Sequence, residues 1–211
     1  RDRAAQFIDR AARSHTGLQP IDSEVAVNIT LFSLRSNGFE LRDAVRETIV
    51  QGDPSSGVAK ATQVLARNPG SGDVFALLGD AELAGGRSDR ARAAYDIATR
   101  VRQSWPLTLR MVAAQNDRDQ VTAILQTYLR GHPSNVEAMA LLAEDYAARG
   151  DWKTAAVLLD HAIARGMSRA PSILAARSKA AVKLGDVASG RNLALEAYRL
   201  QPMNQSAIVA L

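Results

Sequence analysis

The chain of 211 residues contains no cysteine. This excludes a disulfide framework, a thiolate metal site and a cysteine nucleophile. It also leaves the redox compartment unread. Histidine is nearly as scarce, with three dispersed residues, His15, His132 and His161. No His-x-x-x-His or Glu-x-x-His pair puts two ligands on one helix face, so no metal site is expected. Aromatic residues make up only 5% of the chain and β-branched runs are few, which disfavours sheet. No stretch of 18 uncharged apolar residues occurs, so no membrane-spanning helix is expected.

An excess of one charge sign is missing as well. Residues 1–71 carry 9 basic and 8 acidic groups, 72–135 carry 8 and 7, and 136–211 carry 9 and 7. A nucleic-acid binder concentrates its basic groups on one face or segment. Even spreading gives that class no support, and no nucleic acid is expected as a partner.

What the chain has is alanine, leucine, arginine and valine, with 46% hydrophobic and 23% charged residues. That composition is globular and favours helix. The opening RDRAAQF lacks a signal-peptide pattern. A start without Met and an end inside a helical pattern (QSAIVAL) read as a piece of something longer. Bacterial cytoplasm and periplasm fit equally well.

Residues 52–69, GDPSSGVAKATQVLARNP, first suggest a phosphate-binding loop, because Gly52 and Gly57 have its spacing. Val58 and Ala59 then stand where a lysine and a hydroxyl must follow. The preceding residues 41–50 carry helical rather than strand spacing. The motif fails on residues and on context.

The stretch instead has companions at 86–103, 116–133, 150–167 and 185–202. Each opens on Gly or Asn and continues with apolar residues at three- and four-residue spacing. Partner helices are expected at 39–51, 72–84, about 105–115, 135–149 and 171–184. Gly52, Gly150 and Gly185 suit left-handed helix ends. Asp53, Asp151 and Asp186 suit the N-caps that follow. Pro69, Pro133 and Pro202 stop the second helices.

These residues resemble the tetratricopeptide repeat family. The segment 72–103 supplies Phe75, Leu78-Gly79, Gly86, Ala91, Tyr95 and Ala98. The segment 136–167 supplies Leu142-Ala143, Tyr146, Gly150-Asp151-Trp152, Ala155, Leu159 and Ala162. Trp105, Tyr128 and Pro133 mark the unit between them, and Ala194, Ala197 and Pro202 the last one. The resemblance implies an all-α fold, a right-handed α-solenoid of helix-turn-helix repeats with about 13 helices. It divides the chain into N-terminal capping helices or a truncated repeat (1–37) and five units (38–71, 72–101, 102–135, 136–170, 171–204). Residues 205–211 begin a further helix.

Two columns of the pattern meet where paired helices cross. They read Val45/Gly57, Gly79/Ala91, Leu109/Val121, Ala143/Ala155 and Ser178/Gly190. The third pair is too large, and its unit is about one helical turn shorter. A short, tilted helix near 106–115 and a bend in the array are expected.

No catalytic grouping emerges, so the chain is not read as an enzyme, and no cofactor or metal is expected. Ser178 and Lys179 are adjacent and point about 100° apart on a helix, so they cannot act as a nucleophile–base pair. Trp105, Trp152 and the four tyrosines fit packing positions. By resemblance, first helices line a concave groove for a peptide or protein partner. Its facing charges are Arg42, Arg46, Asp80, Arg110, Glu144, Lys179 and Lys183, with alanines such as Ala76, Ala113 and Ala140 leaving room between them. The alternative is a solvated face that binds nothing.

Two function classes follow: a non-catalytic interaction scaffold, and a regulatory or substrate-docking module of a larger enzyme or of a secretion or polysaccharide-export assembly. A homo-oligomer stays open. Reading of RNA by repeats is disfavoured because the groove alanines supply no polar contacts.

Overall fold

In a computed structural model the described residues are 52–67 and 69–211. The expected helices within 1–37 and 39–51, together with Arg42, Arg46 and Val45, lie outside them. The described residues form ten α-helices, one short 3-10 helix and no strand. The chain divides into two compact units, Arg1–Asp117 and Arg118–Leu211.

The first unit contains α1 (Pro54–Arg67), α2 (Gly72–Ala84), α3 (Ser88–Val101) and α4 (Trp105–Ala113). The second contains α5 (Arg118–Gly131), α6 (Val136–Ala148), α7 (Trp152–Ala164), a 3-10 turn (Met167–Arg169), α8 (Pro171–Lys183), α9 (Val187–Leu200) and α10 (Gln205–Ala210). The helices expected at 72–84, 135–149 and 171–184 are α2, α6 and α8, and the one expected near 105–115 is α4. Gly57 sits inside α1 and is buried there, so it forms no loop that could cradle a phosphate.

Capping explains most of the helix starts. Asp53 Oδ1 accepts the Ser55 and Ser56 amides at 3.1 Å each. Asp151 Oδ1 accepts from Thr154 N–H at 3.0 Å, and Asp186 Oδ1 from Ser189 N–H at 3.0 Å. Before each cap the chain turns through a glycine in the left-handed region, with φ +65° at Gly52, +82° at Gly150 and +91° at Gly185. A side chain at such a φ is strained. The first helices use a second set of caps that the motif reading did not name: Ser71, Ser104, Asn135 and Asn204 accept from the third residue on. The turns after α1, α5 and α9 hold Pro69, Pro133 and Pro202.

Helix pairs close where one member is small. In the second unit the Ser178 hydroxyl of α8 donates to the Gly190 carbonyl of α9 at 2.7 Å. A Cβ built at Gly190 would lie 2.6 Å from Val182 Cγ2 and 3.2 Å from the Ser178 carbonyl oxygen. This is the expected Ser178/Gly190 crossing. Ala143 and Ala155 are likewise buried together in the core of α6 and α7, with Met139, Leu159 and Ala162.

In the first unit Ala91 is buried in the core between α2 and α3, and the tightest contact at Gly79 comes one turn further along α3. A Cβ at Gly79 would sit 2.3 Å from Cε1 of Tyr95, whose side chain is fully buried. The glycine therefore makes room for an aromatic ring. Sequence columns give the register of a crossing, but the larger ring takes the space when both residues lie on one helix face.

The helix α4 has 9 residues against 13 in α2, so it is short as expected. Its end is tied down by Arg92 of α3, whose Nη1 donates to the Ala114 carbonyl at 3.0 Å.

Two outcomes follow. Gly79→Ala gains about 1 kcal/mol of helix propensity but overpacks a ring that cannot retreat, at about 1–3 kcal/mol. A net loss of stability is expected in urea unfolding, while Gly70→Ala, which meets nothing within 4 Å, leaves the midpoint unchanged.

The cap carboxylates set an acid limit. Hydrogen bonds hold Asp53 (first the Ser56 amide), Asp151 (first the Thr154 hydroxyl, then its amide) and Asp186 (first the Ser189 hydroxyl, then its amide) below the usual carboxylate range. Because the folded values are depressed, this stabilisation is present above the unfolded value of about 3.9 and is lost as pH falls through the folded values. Thermal unfolding between pH 5 and pH 2 should show Tm falling. The Asp53→Asn/Asp151→Asn/Asp186→Asn variant, which keeps the cap acceptors, should give a shallower dependence.

Candidate functional site

The expected partner-facing charges separate into two kinds. Asp80 on α2 and Arg110 on α4 are not open to a partner. Arg110 Nε lies 2.9 Å from Asp80 Oδ1 and 3.0 Å from Oδ2. The Arg110 and Asp80 side chains are 7% and 13% exposed, so the pair is largely cut off from water. The Tyr95 hydroxyl of α3 donates to Asp80 Oδ1 at 2.8 Å. One carboxylate thus joins three consecutive helices of the first unit. Burial pushes the Asp80 carboxyl above its ordinary range, and the Arg110 charge and the Tyr95 hydroxyl pull it part of the way back. Burial first, and the Asp80 charge second, push the Tyr95 phenol far above its usual value.

Ala76, expected to leave room in a groove, is instead buried in this core with Ala91, Tyr95, Ala98 and Leu107. The reason is its position three residues before Gly79 on α2, on the face turned to α3.

In the second unit the charges are displayed. Glu144 on α6 and Lys179 and Lys183 on α8 are exposed. The two lysines are one helical turn apart. Lys179 Nζ lies 5.7 Å and Lys183 Nζ 6.0 Å from the ring centroid of Trp152, at the start of α7. Both distances are within cation–π range. Trp152, expected to do nothing but pack, is also the pad on which these ammonium groups rest.

Residues 43–106 match the family model of the tetratricopeptide repeat. Over that segment the chain is similar to tetratricopeptide repeats. Solved structures extend the likeness of fold over most of its length. MamA 41-end from Desulfovibrio magneticus RS-1 is 13% identical, with a TM-score of 0.61, covering 78% of this chain and 95% of its own. YrrB, described as a TPR protein with an unusual peptide-binding site, is 11% identical with a TM-score of 0.62, covering 92% and 98%. A thermophilic TPR protein in Thermus thermophilus, TTC0263, is 17% identical with a TM-score of 0.50, covering 81% and 94%. At these identities the likeness is one of fold: the chain is all-α, of the α-solenoid class of helix-turn-helix repeats. A comparison with curated proteins finds no match.

In the second unit the remaining polar groups hold helices together. Arg149 at the end of α6 donates to Asp119 and, from Nη2, to Thr122 Oγ1 of α5 at 2.8 Å, while its Nε lies 3.2 Å from Asp145. Arg177 of α8 pairs with Asp160 of α7 through Nε at 2.7 Å and Nη2 at 3.1 Å. A shallow depression of about 500 Å³ at the start of α3 is lined by Arg87, Arg90 and Arg92. Arg87 is engaged by Glu82, and Arg92 by Asp89 and Ala114.

His132 stacks on Tyr128 at 4.3 Å, and His161 is exposed on α7. Ser178 is buried and Lys179 exposed, on different faces of α8. No group of three or more histidine, aspartate or glutamate residues among the described residues could hold a metal. No described helix is long and apolar enough to cross a membrane.

The Asp80–Arg110 pair has a measurable signature. Removing one partner leaves a buried charge unpaired, so Arg110→Met should destabilise by about 3–5 kcal/mol. Asp80→Asn/Arg110→Met should cost clearly less than the sum of the single changes. A double-mutant cycle on urea unfolding reads the coupling.

Proposed function

We propose that the chain is a non-catalytic protein-interaction scaffold that binds a peptide or protein segment on the exposed faces of its first helices. The observation that carries this reading is the division of labour among its charges. In the first unit Asp80 and Arg110 neutralise each other inside the packing. In the second, Glu144, Lys179 and Lys183 stand in solvent on α6 and α8. A helix pair needs neither lysine for its own closure, because Ala175, Ser178 and Ala181 form the buried side of α8. YrrB, a TPR protein with an unusual peptide-binding site, supports the same reading by analogy of fold. Arg42 and Arg46 join this proposal as partner-facing residues by the resemblance to the repeat pattern alone. Asp80 and Arg110 act in it as the tie that keeps α2, α3 and α4 in place.

Affinity capture from the source cell, with the unmodified chain and with Arg42, Arg46, Lys179 and Lys183 changed to Glu, tests the assignment. Retained partners are expected to fall at least tenfold in the variant while its far-UV circular dichroism is unchanged. Retention of the same partners at equal yield contradicts it.

A further inference from the structure

The lysine pair of the second unit has a geometry that a solvated surface does not require. Lys179 and Lys183 are four residues apart on α8, a spacing at which like charges repel. Both nevertheless converge on one indole, that of Trp152, at 5.7 and 6.0 Å. Among the described residues no carboxylate lies within salt-bridge distance of either ammonium, whereas in the same unit Arg149 has two and Arg177 one. The chain holds only four lysines against 22 arginines, and two of the four are placed here. A lysine is a compact point charge, suited to a single carboxylate oxygen rather than to a forked contact. The ring holds the two side chains in one arrangement, so less freedom is lost when a ligand arrives. Both lysines are exposed, as is the short Ala176 three residues before Lys179, which leaves the ammonium groups accessible.

Resting on the partner-binding reading above, we propose that the Trp152–Lys179–Lys183 surface docks an acidic peptide segment, with two side-chain carboxylates spaced about one helical turn, roughly 6 Å, apart. The mixed charge of the second unit favours a peptide over a polyanion. Residues 118–211 carry 11 basic and 8 acidic groups, and Glu144 and Asp160 are exposed. A phosphate backbone needs a continuous basic track. An acidic peptide needs two cations and tolerates carboxylates around them. The ring lends an optical reporter, since Trp105 in the first unit is the only other tryptophan.

The test uses the full chain, a synthetic peptide of six consecutive glutamates, its glutamine counterpart and poly(U) RNA. Titration is followed by calorimetry and by tryptophan fluorescence. The glutamate peptide is expected to bind, to change the emission, and to weaken as salt rises. The Lys179→Gln/Lys183→Gln variant should lose at least tenfold in affinity, and Trp152→Leu several-fold. Lys153→Gln removes one charge from an exposed neighbour and should leave the affinity unchanged. Equal binding of the glutamine peptide, an unchanged affinity in the double-lysine variant, or binding of poly(U) without the glutamate peptide each overturns the proposal. If the glutamate peptide fails while affinity capture still depends on the four cations, the acidic-segment assignment falls and the scaffold reading stands. If capture fails as well, both fall.

Discussion

The structure depends on how closely two helix backbones can approach. Each helix-turn-helix pair is too small to hide its apolar side alone and must be covered by its partner and by the helices before and after it. Close approach requires a residue with little or no side chain at the crossing. Gly79 against Tyr95 and Gly190 against Ser178 are the two crossings where this is plainest. The rest of each pair follows. Alanines at 91, 98, 155, 162, 194 and 197 are buried because the gap between helices admits nothing longer. Polar residues sit in the turns, where they cap, on the outer faces, or, like Ser178 and the Asp80–Arg110 pair, inside the packing with a partner.

Electrostatics is arranged around that constraint rather than the reverse. Asp80, Arg110 and Tyr95 are in the packing because the pair satisfies itself there; either charge alone would be costly to bury. Arg149 and Arg177 act similarly nearer the surface, where ion pairs add little stability but fix register. In the second unit Lys179 and Lys183 are cations that the packing does not use.

Much of the fold is legible in the sequence because its signals are local. The ends of the helices near 72–84, 135–149 and 171–184 are marked by the turn glycines Gly86, Gly150 and Gly185, and the Asp151 and Asp186 that follow two of them cap the next helices as capping chemistry requires. The short α4 is legible from a missing turn of sequence. The site is less so. Asp80 and Arg110, 30 residues apart, share a column of the repeat pattern, and nothing local says that they meet and neutralise each other. Family position alone implies an exposed Ala76, whereas the face of α2 it occupies packs on Tyr95. The role of Trp152 as a pad for two lysines depends on rotamers of α8, which periodicity does not specify.

If backbone approach at the crossings governs stability, protection against hydrogen exchange must be uneven in a defined way. Native-state amide exchange of the unmodified chain, resolved by peptide, measures this directly. The slowest amides are expected in the middle turns of α2 and α3 around Gly79 and Tyr95, and of α8 and α9 around Ser178 and Gly190, with α4 and α10 exchanging first within their units. Protection as strong in α4 or α10 as at those crossings would contradict the account.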